Sequence, residues 1–254
     1  MFCPTSSQPL YRLSPAILES MKLIGVVRNL WRYPVKSMIG EPCRNLLFEE
    51  RGVVGDRLFA VRDEQGKFGS GKNTRRFVKI ESLFKFRAVY DGSVPVITFP
   101  DGKSVRGDES SIHSELTETL NQTVTLAKEQ FIPHFDDASV HLVTTSSLDW
   151  LKSKLPGSVV DESRFRPNVV IGTEGSGLVE QNWIGKTLRI GQDVMLEITH
   201  PTERCLMTNF AQPAIPEDKS IFACIGREAD LNFGVYAKVL VGGEVNCGER
   251  VGII

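Results

Sequence analysis

Phe86-Arg87-Ala88-Val89-Tyr90-Asp91-Gly92-Ser93-Val94-Pro95-Val96-Ile97-Thr98-Phe99-Pro100-Asp101-Gly102 sets two short runs of β-branched and aromatic residues on either side of one Asp-Gly pair and closes on another. Such a pair tolerates the left-handed backbone of a tight hairpin, so the stretch predicts strands over 86–90 and 94–99. The same pattern extends upstream, with strands expected over 23–27, 46–48, 57–62 and 77–80 and turns at Arg51-Gly52 and Gly66. Downstream, Ser110 and Ser111 precede Ile112, Leu116 and Leu120, whose spacing puts them on one face of a short helix, and a strand follows over 124–127.

Residues 130–138 read as a linker. Beyond it, an apolar strand over 140–143 runs into Thr144-Thr145-Ser146-Ser147, and Leu148, Leu151 and Leu155 then repeat at helical spacing behind a Ser146/Asp149 capping pair. Further strands are expected over 168–171, 187–190, 195–199, 235–241 and 250–254. Many short strands, few helices and no strand–helix alternation predict a β-dominated α+β fold of two β-barrel-like units. The expected limits are an extension over 1–21, disordered, a first unit over 22–129 and a second over 130–254.

With 30 basic and 31 acidic side chains in 254 residues, no global field favours nucleic acid or an acidic membrane, so an anion must be met by a local cluster. Cys3, Cys43, Cys205, Cys224 and Cys247 are odd in number, scattered and without a C-x-x-C pair. This excludes a disulfide framework or zinc knuckle and points to reduced thiols in a cytoplasmic protein. No apolar run approaches the roughly 20 residues of a membrane span, and the first twenty residues make a poor signal peptide.

Several residues have chemical context. Cys205 follows Arg204, and with Arg166 brought near, positive charge would favour a thiolate able to ligate a soft metal; an ordinary buried cysteine is the alternative. Lys36 and Ser37 follow Pro34 in a turn that could present an ammonium and a hydroxyl to phosphate. Arg57, in Gly55-Asp56-Arg57, offers a planar fork, and Arg166-Pro167-Asn168 pairs a second fork with an amide. Thr145 and Ser146, where strand turns into helix, offer a phosphate contact at a helix start. Ser70-Gly71-Lys72 lacks the Walker pattern and reads as a loop. His113, His134, His141 and His200 show no metal-ligand spacing, although His141 could touch a cofactor. The spacing G-x-S-x-G is absent, which disfavours a serine hydrolase.

Tyr33-Pro34-Val35-Lys36-Ser37, Gly55-Asp56-Arg57-Leu58-Phe59, Phe165-Arg166-Pro167-Asn168, Arg204-Cys205 and Gly234-Val235-Tyr236 occur in the order found in MOSC proteins, the family named for the C-terminal domain of molybdenum-cofactor sulfurases. The chain resembles that family from Lys22 to its end, and in particular the amidoxime-reducing components. The resemblance implies an N-terminal MOSC β-barrel followed by a MOSC domain, with the molybdenum cofactor (molybdopterin) between them. Cys205 would be the metal ligand and catalytic centre, and Lys36, Ser37, Arg57, Arg166 and Asn168 would hold the cofactor, with Thr145 and Ser146 as phosphate contacts. The implied activity is reduction of a small-molecule N-hydroxylated or related N–O substrate. Electrons would come from a separate protein of ferredoxin, flavin reductase or cytochrome type. A cofactor or sulfur carrier using Cys205 is the alternative. Thr202 stands where amidoxime reducers often carry a second cysteine, which leaves the substrate open.

Overall fold

The computed structural model describes residues 21–254; the extension expected over 1–21 lies outside the described residues apart from Met21. Seven strands close into a barrel in the order Lys22–Arg32, Val169–Gly172, Val140–Thr144, Asn232–Val241, Val194–Glu203, Thr187–Ile190 and Arg250–Ile253, the last returning to Lys22–Arg32. All contacts are antiparallel except the parallel pair Val140–Thr144 with Val169–Gly172.

Side chains that alternate along a strand decide what each one buries. Val140, Leu142, Val169, Ile171, Val235 and Ala237 point into the barrel, where they meet Leu188, Ile190, Leu196, Ile198 and Val251. Their neighbours Val143 and Val170 point outward and are covered by Leu148 and Leu151 of helix Thr145–Lys154 and by Ile221, Cys224 and Ile225 of helix Lys219–Ala229. Strand Val140–Thr144 is therefore buried on both faces, which is why it is apolar but for His141 and Thr144.

The N-terminal half forms a second, smaller β unit. A four-stranded sheet, Val124–Lys128, Phe59–Asp63, Phe68–Ser70 and Phe77–Lys79, faces a three-stranded one, Ser104–Arg106, Val94–Thr98 and Arg87–Asp91. Helix Ile112–Leu120 closes the core they share through Ile112 and Leu116. The expected β-dominated architecture of two barrel-like units with a few short helices is what is observed. The Asp91-Gly92 hairpin pairs Asp91 with Val94 and Arg87 with Thr98, as the turn chemistry implied.

Strand pairing crosses the expected 129/130 limit. Lys22–Arg32 is a barrel strand of the C-terminal unit, pairing Leu30 with Val169 on one side and Leu23 with Gly252 on the other. Asn45–Glu49 likewise pairs with Gly243–Asn246. After Arg32 the chain leaves the barrel, and Val35 and Met38 enter the core of the smaller unit. Tyr33-Pro34-Val35-Lys36-Ser37 is thus the crossover between the two cores. Helix Lys219–Ala229 was not anticipated from sequence, although Ile221, Cys224 and Ile225 fall at helical spacing behind Asp218, whose carboxylate caps Ser220 N at 2.9 Å.

Candidate functional site

The crossover places one aromatic ring between two cations. Tyr33 is buried, its hydroxyl donates to Pro167 O at 3.2 Å, and the guanidinium groups of Arg166 and Arg57 lie 4.3 and 4.8 Å from its ring centre. Each arginine comes from its own turn, and both adopt left-handed backbone, with φ of 56° at Arg166 and 51° at Arg57. A non-glycine residue held there costs energy that surrounding contacts must offset. Here Arg57 N donates to Tyr33 O at 2.6 Å, Arg57 Nη2 donates to Arg166 O at 3.2 Å, and Arg166 Nη1 donates to Met38 O at 2.7 Å. Asp56, fully buried, pairs with Arg57 and accepts from Tyr33 N.

Lys36 is 2% exposed, its ammonium 4.6 Å from the Phe77 ring centre and 2.7 Å from Asp136 Oδ1. Burial pushes its pKa down against the opposing pull of Asp136. Lys72 approaches the same ring at 5.5 Å. Burial also lowers Arg166, to about 10, with Arg57 adding to the effect, and lowers Arg204. Arg204 Nη2 donates to Phe165 O at 3.0 Å, next in the chain to Arg166. Cys205, half-buried, begins the turn Leu206–Asn209, which lies against the Ser70-Gly71 loop so closely that a Cβ on Gly71 would sit 2.3 Å from Met207 Cγ. The two units therefore meet along Cys205–Phe210 on one side and Ser70–Lys72 on the other.

His141 is buried and loses its proton readily, chiefly through burial and then through Arg204. Its Nδ1 lies 3.4 Å from Arg166 O, and the ring also meets the backbone of Phe233. Tyr236 packs in tilted contact with His141 and His200, ring centres 5.5 and 5.2 Å away, and burial raises its hydroxyl to about 12.

Ser70 Oγ, Arg166 Nη2, Thr202 Oγ1 and Arg204 Nε are buried without hydrogen-bond partners among the described residues. An unsatisfied buried polar atom is costly, and several on adjoining segments are what a site for a polar ligand would need. Among the described residues no group of three histidine, cysteine or carboxylate side chains could hold a metal. Any metal held here would have to bring most of its own ligands, and Cys205 is the thiol that could add one more. That donor set, cations plus a single thiol, fits an anionic metal-bearing cofactor.

The structure brings together Lys36, Arg57 and Arg166, with Cys205 beside Arg204. It gives other expected residues different work. Ser37 Oγ donates to Gly69 O, and Asn168 fastens two strands, its Oδ1 accepting from His141 N and its Nδ2 donating to Trp31 O. Thr145 and Ser146 are not in the cluster. They lie at the far end of strand Val140–Thr144 from His141, about 10 Å along it, and bind the 173–175 loop through Thr173 N, Thr173 Oγ1 and nearby carbonyls. The helix cap there is Thr144 rather than Ser146, its Oγ1 accepting from Ser147 N and donating to the buried Glu180. Sequence reasoning missed Asp136, in the expected linker, and read Ser70-Gly71-Lys72 as a plain loop. Two open clefts, of about 820 and 790 Å³, lie elsewhere; neither is lined by these cations.

Family models match nearly all of the chain. That for the MOSC N-terminal beta barrel domain covers residues 24–145, and that for the MOSC domain covers residues 121–252. No curated protein matches. Among solved structures the chain is similar to the YUAD protein from Bacillus subtilis, at 12% identity over 92% of this chain and 97% of that one with a TM-score of 0.52, a likeness of fold. A weaker similarity, to YiiM from Escherichia coli, has 16% identity, spans 46% of this chain and 54% of that one, and has a TM-score of 0.35.

Proposed function

The chain belongs to the MOSC family, which is associated with molybdenum-cofactor binding, and on that premise we propose that it is a molybdenum-cofactor oxidoreductase acting on N-hydroxylated or related N–O substrates. The observation that carries the reading is the cationic cluster at the junction, with its unsatisfied buried donors beside one half-buried thiol. Lys36, Arg57 and Arg166 would hold the anionic end of the cofactor, and Cys205 would ligate the metal. When bound, the cofactor supplies a metal centre that accepts an oxygen atom from the substrate. The net reaction for a hydroxylamine is R–NH–OH + 2 H⁺ + 2 e⁻ → R–NH₂ + H₂O, with the electrons delivered by a separate donor protein.

The protein's own part is binding and orientation. Tyr33 holds two guanidinium groups on one ring, which fixes both before any anion arrives and lowers the ordering cost of binding it. Burial keeps the His141 ring neutral and the Tyr236 hydroxyl protonated at physiological pH, so neither adds charge beside the cations.

The test is elemental analysis of protein made in a host that synthesises the cofactor. The expected result is close to one molybdenum per chain, lost in Cys205→Ser together with N-hydroxy reduction. Wild-type protein that reduces such substrates without molybdenum would sink the reading. Protein that holds molybdenum, reduces nothing and passes the cofactor to an apo-enzyme would make it a carrier instead.

A further inference from the structure

Asp136 stands at the centre of the positive charge. Its carboxylate lies 2.7 Å from Lys36 Nζ, and it interacts electrostatically with Arg57, Lys72, Arg166 and Arg204 as well. The other carboxylate at the junction, Asp56, is fully buried and committed to Arg57 and Tyr33 N. Asp136 differs in two respects. Its side chain is 36% exposed, and among the described residues Lys36 is the one side chain with which it exchanges a hydrogen bond. A carboxylate that meets buried cations from the solvent side can leave without unpacking a core.

The segment that carries Asp136 is fixed on both sides of it. Glu129 takes a bidentate pair from Arg51 at 2.6 Å, Arg76 donates to Pro133 O and Phe135 O, and His134 is buried beside Arg57 O. After Asp136, Asp137 Oδ2 lies 2.8 Å from His200 Nε2. The strap is thus pinned while one charged side chain reaches into the cluster.

We propose that Asp136 is an internal anion, held over the cationic cluster by the 129–138 strap, that competes with an incoming anionic ligand for Lys36 and its neighbours. Its carboxylate balances the cluster in the form seen here and swings to solvent when a phosphate-bearing ligand takes its place. The competition makes the site selective: a weak monoanion does not repay displacement, whereas a multiply charged group that contacts several of the cations does. The inference rests on reading the cluster as the anion-binding part of the proposed site, but not on which metal or reaction that site serves.

Inorganic phosphate is the probe, titrated calorimetrically into the purified full-length protein. Asp136→Asn keeps the shape and removes the charge, and it should bind phosphate about tenfold more tightly than wild type, the scale expected for deleting one like charge beside the ligand. Asp137→Asn should leave the affinity unchanged, and Lys36→Met should abolish the gain when combined with Asp136→Asn. Unchanged or weaker binding by Asp136→Asn overturns the proposal. If that variant does not fold, Asp136→Ser is the second test, and failure of both to fold makes the carboxylate a structural partner of Lys36 and equally overturns it. A tenfold gain in a protein that never holds molybdenum would leave the internal anion standing while the cofactor reading fell.

Discussion

Two histidines show how burial sets protonation at single residues. His134 accepts from Arg62 at Nε2 and donates from Nδ1 to Arg57 O, a pattern only the neutral ring can make, and burial accordingly lowers its pKa from 6.5 to about 4. The unfolded chain takes up this proton near pH 6.5, whereas the folded chain does so only near pH 4. Stability from this group is therefore complete above 6.5 and lost as pH falls through that window, by an amount on the order of 2–3 kcal/mol. Asp136 acts lower: its pKa is held down to about 2 by Lys36, Arg57 and Lys72 against the effect of burial, so its contribution fades only below the ordinary aspartate value of 3.8. Urea midpoints measured from pH 7 to 4.5 should fall steadily, and His134→Gln should flatten that fall. A variant that keeps the full slope would show that His134 is not its source. From sequence His134 was one of four scattered histidines, because nothing local says that a ring will be enclosed between Arg57 and Arg62. Lys36 and Arg166 stood out beside Pro34 and Pro167, but their backbone did not: Pro167 should push Arg166 to extended backbone, whereas tertiary hydrogen bonds hold it at φ 56°.

At the scale of elements, local signals carried well and pairing did not. Asp91-Gly92 announced its hairpin and Ile112, Leu116 and Leu120 their helix, because turn chemistry and periodicity act over a few residues. The partner of Lys22–Arg32 could not be read, since its hydrogen bonds are made with strands near the other end of the chain. Closure there depends on close approach: a Cβ on Gly25 would lie 2.3 Å from Gly172 O, in the very strand it faces. Gly25→Val should therefore push the closing strands apart and cost about 1–3 kcal/mol, the usual penalty for overpacking, although the position lies far from Cys205. Thermal melting is the check, and an unchanged midpoint would mean that the seam is looser than its geometry. The strap over 129–138 illustrates the opposite failure. Its composition is that of a linker, yet its acid and histidine side chains meet cations from elsewhere in the fold. Lys36 and Asp136 are separated by 100 positions, a distance over which neither residue type nor spacing names the partner.

For the whole molecule, the crossing strand changes what the two units are. Lys22–Arg32 supplies one wall of the barrel built mainly from the C-terminal half, and Val27, Leu30, Leu46, Phe48 and Val53 belong to that barrel's core. The proposed site lies where that strand hands the chain to the other core, at the meeting of Lys36 and Arg57 from the first half with Arg166 from the second. Expressed alone, residues 130–254 would present two unpaired strand edges, Val169–Gly172 and Arg250–Ile253, and a cavity where Val27 and Leu30 belong. Unpaired edges next to an exposed core favour aggregation over folding. The fragment should give no cooperative melt. Cutting the intact protein is a different experiment, since Phe131 and Ile132 are 96% and 56% exposed and can host a protease site without disturbing either core. After cleavage there, the halves should co-elute as one particle on size exclusion and melt near the uncut protein, because the shared barrel survives the broken chain. A C-terminal fragment that folds cooperatively by itself would show that the first strand decorates the barrel rather than completes it.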